Sequence, residues 1–374
     1  MKLTNAAVLD DDFKFRIHDL CFENGIISDN SADEFAEDCT DCYIVPGLID
    51  IHIHGAMGFD NMDLSYEAVN TISYFLAKNG VTTFLPTLIT QSKKWLTNAA
   101  VNIKSAKERG VTGADIAGIY MEGPYFSAKH KGAHDENFLR APSCEEFDEI
   151  YERCGGLVKI IGIAPELDGA IDFIKAEKNR VKISIGHTDA DYETAMSAID
   201  AGATQLIHTF NAMRPFLHRE PNAIGAAFDS NIFCECICDG FHLSPAAVRL
   251  IYKAVGENRM ILITDAVRAA GMADGKYELG GLPITVTGGK AYTQTGAIAG
   301  GTSTLFKCVK KAVEFGIPLE KAVMMASKTP ARAIGLFHDR GSISVGKRAD
   351  LLVLNKDLTV RKVILNGKPL LNRQ

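Results

Sequence analysis

Apolar positions along this chain follow two rhythms. From Pro46 onward, short apolar runs recur eight times: GLIDIHIH, VTTFLPTLIT, DIAGIYMEG, VKIIGIAPE, RVKISIGHT, TQLIHTFNA, IFCECICDG and MILITDAV. Each is of strand length, and most are rich in β-branched residues, as in buried parallel strands. Between most of them lie longer stretches with helical spacing, such as SYEAVNTISYFLAKNG and DADYETAMSAIDAG, several ending in the glycine that suits a helix C-terminus. Eight strand-plus-connection units predict an α/β fold of the (β/α)8 TIM-barrel type.

The two ends of the chain alternate with period two instead. Residues 1–45 and 341–374 are expected to pair into one small β-sandwich domain beside a barrel spanning 46–340. A glycine-dense stretch near 272–299 predicts hairpins within the barrel region.

Composition narrows the class. With 374 residues, 47% hydrophobic and 23% charged, the chain reads as a globular enzyme-sized protein. A formal net charge of −6 leaves no basic excess for a general nucleic-acid or anionic-membrane surface. The N-terminus lacks signal-peptide features, and no run reaches the roughly 18 apolar residues of a membrane span, so a cytoplasmic location is expected. Nine scattered cysteines, an odd number, suit reduced thiols. Cys39 and Cys42 have CxxC spacing without a second pair, and Cys234, Cys236 and Cys238 share one strand face, so packing is the expected role of all five.

Candidate chemistry gathers at strand ends. Side chains two apart on a strand share a face, which aligns Asp50, His52 and His54 with both histidines at the C-terminal end of the first run. The third run ends in Glu122, the fifth in His187, the sixth in His208 and the eighth in Asp265. In a barrel these ends converge on one mouth. Imidazole and carboxylate donors suit zinc or ferrous iron better than magnesium or a thiolate cluster. Asp50 is expected to orient a histidine rather than bind metal itself.

The stretch PGLIDIHIHG following a short β segment, with GSISVGKRADLLVL near the end, resembles the amidohydrolase superfamily. Within it, MEGPYFS, KGAH, GHTDA, HTFNAM, REP, CDGFH and TDA resemble the family of N-acetylglucosamine-6-phosphate deacetylases over essentially the whole chain. The resemblance implies a metal-dependent hydrolase that removes acetyl from a phosphorylated amino sugar. It implies one ion held by Glu122, His187 and His208, and a second held by His52, His54 and Asp265 with Glu122 as the bridge. Asp265 would be the general base and His134 the donor to the oxyanion. The phosphate would meet Asn211, Ala212, Arg219 and His242, the arginine and this histidine coming from the neighbouring subunit of a homodimer. Lys159 and Lys182 sit at strand starts, so neither suits the carboxylated-lysine bridge of other superfamily members. Alternatives are hydrolysis of another N-acyl or cyclic amide, or a non-catalytic barrel that acts in assembly. The run Phe216-Leu217-His218 and the form TGAIAGGTSTL depart from the family pattern and bear on the sugar pocket or the dimer contact.

Overall fold

The computed structural model describes residues 1–29 and 36–370; parts of both expected terminal segments, 30–35 and 371–374, lie outside the described residues. All eight predicted runs form parallel barrel strands: Leu48–Ile53, Val81–Ile89, Ile119–Tyr125, Val158–Ile163, Lys182–Ile185, Gln205–Leu206, Phe233–Ile237 and Met260–Ile263. They pair in sequence order, with Asp115–Ile116 as an extra short strand on the second. Between the eighth and first strands, Asp265 N–H donates to the His52 carbonyl at 2.9 Å, and Ile53 bridges Ala266.

Helices follow because the connecting stretches carry caps as well as apolar stripes. Ser65, Ser92, Ser143, Asp191 and Ser244 each accept a backbone N–H in the first turn of the helix that follows. The stripes, for example Val69, Ile72 and Leu76, join the outward strand residues in one large core. The inward residues Leu85, Tyr120, Ile160, Ile207 and Ile261 belong to a separate apolar cluster.

The chain ends meet as the alternation predicts. One eight-stranded sheet contains Lys2–Leu9, Phe15–Glu23, Ile26–Ser28, Ala36–Asp38 and Cys42–Pro46 from the start of the chain, with Leu351–Asn355, Val360–Leu365 and Lys368–Pro369 from its end. Leu351–Asn355 runs antiparallel to Cys42–Pro46, which joins the two termini. Leu3, Val8, Phe22, Ile44, Leu351 and Val353 close a core of their own, giving the β-sandwich expected beside the barrel. Leu9, Phe13, Val45, Leu352 and Leu354 enter the large core instead, so the terminal unit is packed onto the barrel. The glycine-dense insertion forms a three-stranded antiparallel sheet, Gly275–Leu279, Leu282–Thr287 and Lys290–Thr293. All nine cysteines are free, and Cys39, Cys42, Cys234, Cys236 and Cys238 are buried as packing residues. No helix among the described residues is long and apolar enough to cross a membrane.

Candidate metal centre

Strand geometry gathers the six expected ligands at the C-terminal mouth. Glu122 stands within the third strand, while His54, His187, His208 and Asp265 lie one or two residues beyond the ends of theirs. His187 and Asp265 hold left-handed backbone, φ 44° and 48°, which is costly for residues with a Cβ and is concentrated where a site demands one side-chain direction. Gly301 makes room at the second of these. Its N–H donates to the Asp265 carbonyl at 2.7 Å, and a Cβ there would stand 2.4 Å from the Thr264 carbonyl oxygen.

The ligand atoms form two adjoining groups. In one, Glu122 Oε1 lies 3.2 Å from His187 Nε2 and 3.1 Å from His208 Nε2, and these nitrogens are 3.0 Å apart. Donors about 2.0–2.1 Å from a shared cation stand roughly 2.9–3.4 Å from each other at right or tetrahedral angles, so this triangle has the dimensions of one coordination face. In the other, His54 Nε2 is 3.2 Å and His52 Nε2 3.5 Å from Asp265 Oδ1. Glu122 spans both, since its Oε2 lies 3.1 Å from His54 Nε2.

All six side chains are buried. Two buried imidazole–carboxylate groups with no apolar filling fit a divalent cation. Their electrostatics agree. Burial opposes ionisation of Glu122, but the facing His52 and His134 hold it well below the usual carboxylate range. Burial likewise opposes a charge on His54, yet hydrogen bonds to Asp265 and Glu122 push it up to about 9. The acids therefore draw positive charge inward, as protons when no ion is bound and as a cation when one is. His187, pushed down to about 4 by burial and the neighbouring His134, stays the neutral imidazole that a ligand must be.

The surrounding partners correct part of the expectation. Asp50 does not orient a histidine ring: its carboxylate accepts from the Thr264 hydroxyl at 2.6 Å. The carboxylate facing a ligand histidine is Glu235, 2.9 Å from His52 Nδ1. His187 Nδ1 lies 2.9 Å from the His130 carbonyl, and His134 Nδ1 lies 2.7 Å from the Thr90 hydroxyl. Local pattern revealed neither Thr90 nor the His130 carbonyl. Glu235 had a signal, as an acid set between Cys234 and Cys236 in an otherwise apolar strand. Lys159 and Lys182 stand at the starts of their strands, as expected.

Above the ligands opens a cavity of about 400 Å³, lined by Glu122, His134, Asn211, Ala212, His242 and Asp265 among others. Leu279, from the glycine-dense insertion, forms part of its apolar wall with Ile89, Phe210 and Ile298. His134 Nε2 is 3.4 Å from Glu122 Oε2. His242 lines this chain's cavity, with its Nδ1 2.7 Å from the carboxylate of Asp239, three residues earlier. Its Nε2 is buried without a hydrogen-bond partner. Arg219 is not brought to this cavity: it lines a separate hollow with Asp191, Arg214 and Glu220.

Comparison with known proteins agrees with this centre. Residues 43–370 match the model of the amidohydrolase family. The chain is 39% identical to N-acetylglucosamine-6-phosphate deacetylase of Vibrio furnissii, over 87% of this chain and 82% of that protein. It is 36% identical to N-acetylgalactosamine-6-phosphate deacetylase of Escherichia coli O157:H7, over 87% of each. It superposes with a TM-score of 0.94 and 34% identity on N-acetyl-D-glucosamine-6-phosphate deacetylase of Mycobacterium smegmatis in complex with N-acetyl-D-glucosamine-6-phosphate, covering 100% of this chain and 99% of that one. With its barrel, its terminal sheet and its paired histidine and carboxylate groups, this chain belongs to the amidohydrolase family.

Proposed function

We propose that this protein hydrolyses N-acetylglucosamine 6-phosphate to glucosamine 6-phosphate and acetate. The observation that carries the reading is the triangle of Glu122, His187 and His208 at the floor of a cavity whose wall bears His134 and Asp265. Glu122, His187 and His208 would hold one divalent ion, zinc or iron. His52, His54 and Asp265 would hold a second, with Glu122 shared. When bound, such an ion supplies the charge that makes water acidic near neutral pH and polarises an amide carbonyl.

The remaining work falls to side chains. Asp265 is a carboxylate at neutral pH, since burial is outweighed by its hydrogen bond to His54 and by nearby His52. It takes the proton from the attacking water and returns it to the departing amine, which is a poor leaving group until protonated. His134 Nδ1 lies 2.7 Å from the Thr90 hydroxyl, and the tautomer in which that hydroxyl donates leaves His134 Nε2–H to donate to the developing oxyanion. Asn211 and Ala212, the latter in left-handed backbone at φ 52°, offer polar groups to the phosphate end of the cavity. His242, aligned by Asp239, adds a further contact from the same chain.

The phosphate's remaining counter-charge is Arg219 from the other subunit of a homodimer. Supporting this, Arg219 lies outside its own cavity and close in sequence to Phe216 and Leu217, which are 40% and 51% exposed. Because a relative of similar identity is named for the galactosamine epimer, the deciding assay compares acetate release from the two N-acetylhexosamine 6-phosphates after reconstitution with zinc or ferrous iron. Release from the glucosamine derivative with the higher kcat/KM supports the assignment. Preference for its epimer reassigns the sugar, and no release from either rejects the function.

A further inference from the structure

Glu235 has no role in the reaction outlined above, yet it is fully buried beneath the ligand cluster. An ionised carboxylate at such a depth costs several kcal/mol unless donors surround it. Here they do. His52 Nδ1 lies 2.9 Å from Oε2, the His208 backbone N–H donates to the same oxygen at 3.1 Å, and the Gln205 amide donates to Oε1 at 2.5 Å. The neighbouring Cys234 and Cys236 face the outer core, so strand alternation turns Glu235 inward.

This carboxylate fixes the ring of His52. With Nδ1–H donated to Glu235, Nε2 is the nitrogen left to face Glu122 and Asp265, at 3.4 and 3.5 Å, and it makes no hydrogen bond there. Each half of the centre has one ring anchored at Nδ1 and one, His208 or His54, whose Nδ1 has no hydrogen-bond partner, but the two anchors differ in kind. In the half with Glu122, His187 is anchored by the backbone carbonyl of His130, which no side-chain change removes. In the half with Asp265, His54 Nδ1 has no hydrogen-bond partner, so His52 is the one ring there with an anchoring partner.

We infer that Glu235 is a positioning residue that orients His52 through Nδ1 and thereby governs how tightly the His52–His54–Asp265 half holds its ion. The inference rests on the two-ion reading above. It also explains why the strand carries an acid where an apolar residue would pack at lower cost: the oxygen that aligns His52 also accepts from the His208 backbone N–H, a main-chain contact that leaves the His208 ring to its own ligands.

The test is metal binding by Glu235→Gln, which keeps the shape and removes the charge. Ions per subunit are counted by mass spectrometry after reconstitution with zinc, and the two affinities are resolved by competition with a chromophoric chelator. Reconstitution with Mn²⁺ adds a spectroscopic signature, because two neighbouring Mn²⁺ ions give an exchange-coupled resonance that one does not. Loss of such a partner typically weakens binding 10- to 100-fold. The expected result is two ions in the parent protein and a variant whose weaker site loosens by that factor, with the tighter site unchanged and the coupled signal reduced. Two ions held as tightly as in the parent would overturn the role of Glu235 while leaving the two-ion reading intact. A parent protein that binds only one ion would overturn that reading, and this inference with it. If Glu235→Gln does not fold, Gln205→Leu, which frees Oε1 without removing the acid, should weaken the same site to a smaller degree; unchanged affinity there would also overturn the role.

Discussion

Replacing Asp265 by asparagine separates chemistry from structure unusually well at this site. Asparagine has nearly the same shape and is among the residues that best tolerate left-handed backbone, so φ 48° should survive the change, whereas alanine would add strain. The main-chain bonds from Asp265 N–H to His52 O and from Gly301 N–H to Asp265 O do not involve the side chain. What is lost is one negative charge, 3.2 Å from His54 Nε2, and the proton acceptor itself. Removing a general base typically slows a reaction by about 10²–10⁴-fold, equivalent to roughly 3–5 kcal/mol of barrier. Steady-state assay of acetate release should therefore show kcat reduced by that factor, with KM changed far less and circular dichroism unaltered. Turnover within tenfold of the parent, at equal metal content, would refute the assignment of Asp265 as base.

Other perturbations test neighbouring parts of the account. His134→Ala should lower kcat about 10²–10³-fold, the usual loss for one oxyanion donor, and Thr90→Val should reproduce part of that loss through a misaligned ring; an unchanged kcat in His134→Ala would count against the role. Arg219→Ala should raise KM for the phosphorylated sugar at least tenfold and leave KM for unphosphorylated N-acetylglucosamine unchanged, and equal effects on both would remove the phosphate contact. The ion-free protein should lose stability as pH rises from about 6.5 to about 9, because His54, pushed up to about 9, and His52, raised in the same sense, bind protons in the folded state that the unfolded chain has released. Thermal melts across that range should fall without metal and stay level with it; a flat profile in both states would contradict the buried charge balance.

Much of this architecture was legible in the sequence because barrel strands and helices write their periods locally. The eight runs needed only apolar length and a following amphipathic stretch, and the terminal strands only alternation. The six candidate ligands were legible for a related reason: each lies between the middle of a strand and just beyond its C-terminal end, and a barrel brings those ends together. Partners across the barrel carry no such mark. Glu235 meets His52 across 183 positions of sequence, and the alternation of its strand drew attention to the cysteines on the opposite face. Asp50 sits on the histidine row, but its carboxylate accepts from the hydroxyl of Thr264, one residue past the end of the eighth strand. The anchor of His242 is local, the Asp239 carboxylate three residues before it, which the motif contained but did not reveal as a partner.

The central claim is that Glu122, His187 and His208 grip one cation. Crystals of the metal-reconstituted protein measured at the absorption edge of the added metal would locate it directly. An anomalous peak about 2.0–2.2 Å from a Glu122 carboxylate oxygen and both Nε2 atoms is the predicted result. A peak elsewhere, or none in protein that is catalytically active, would contradict the account.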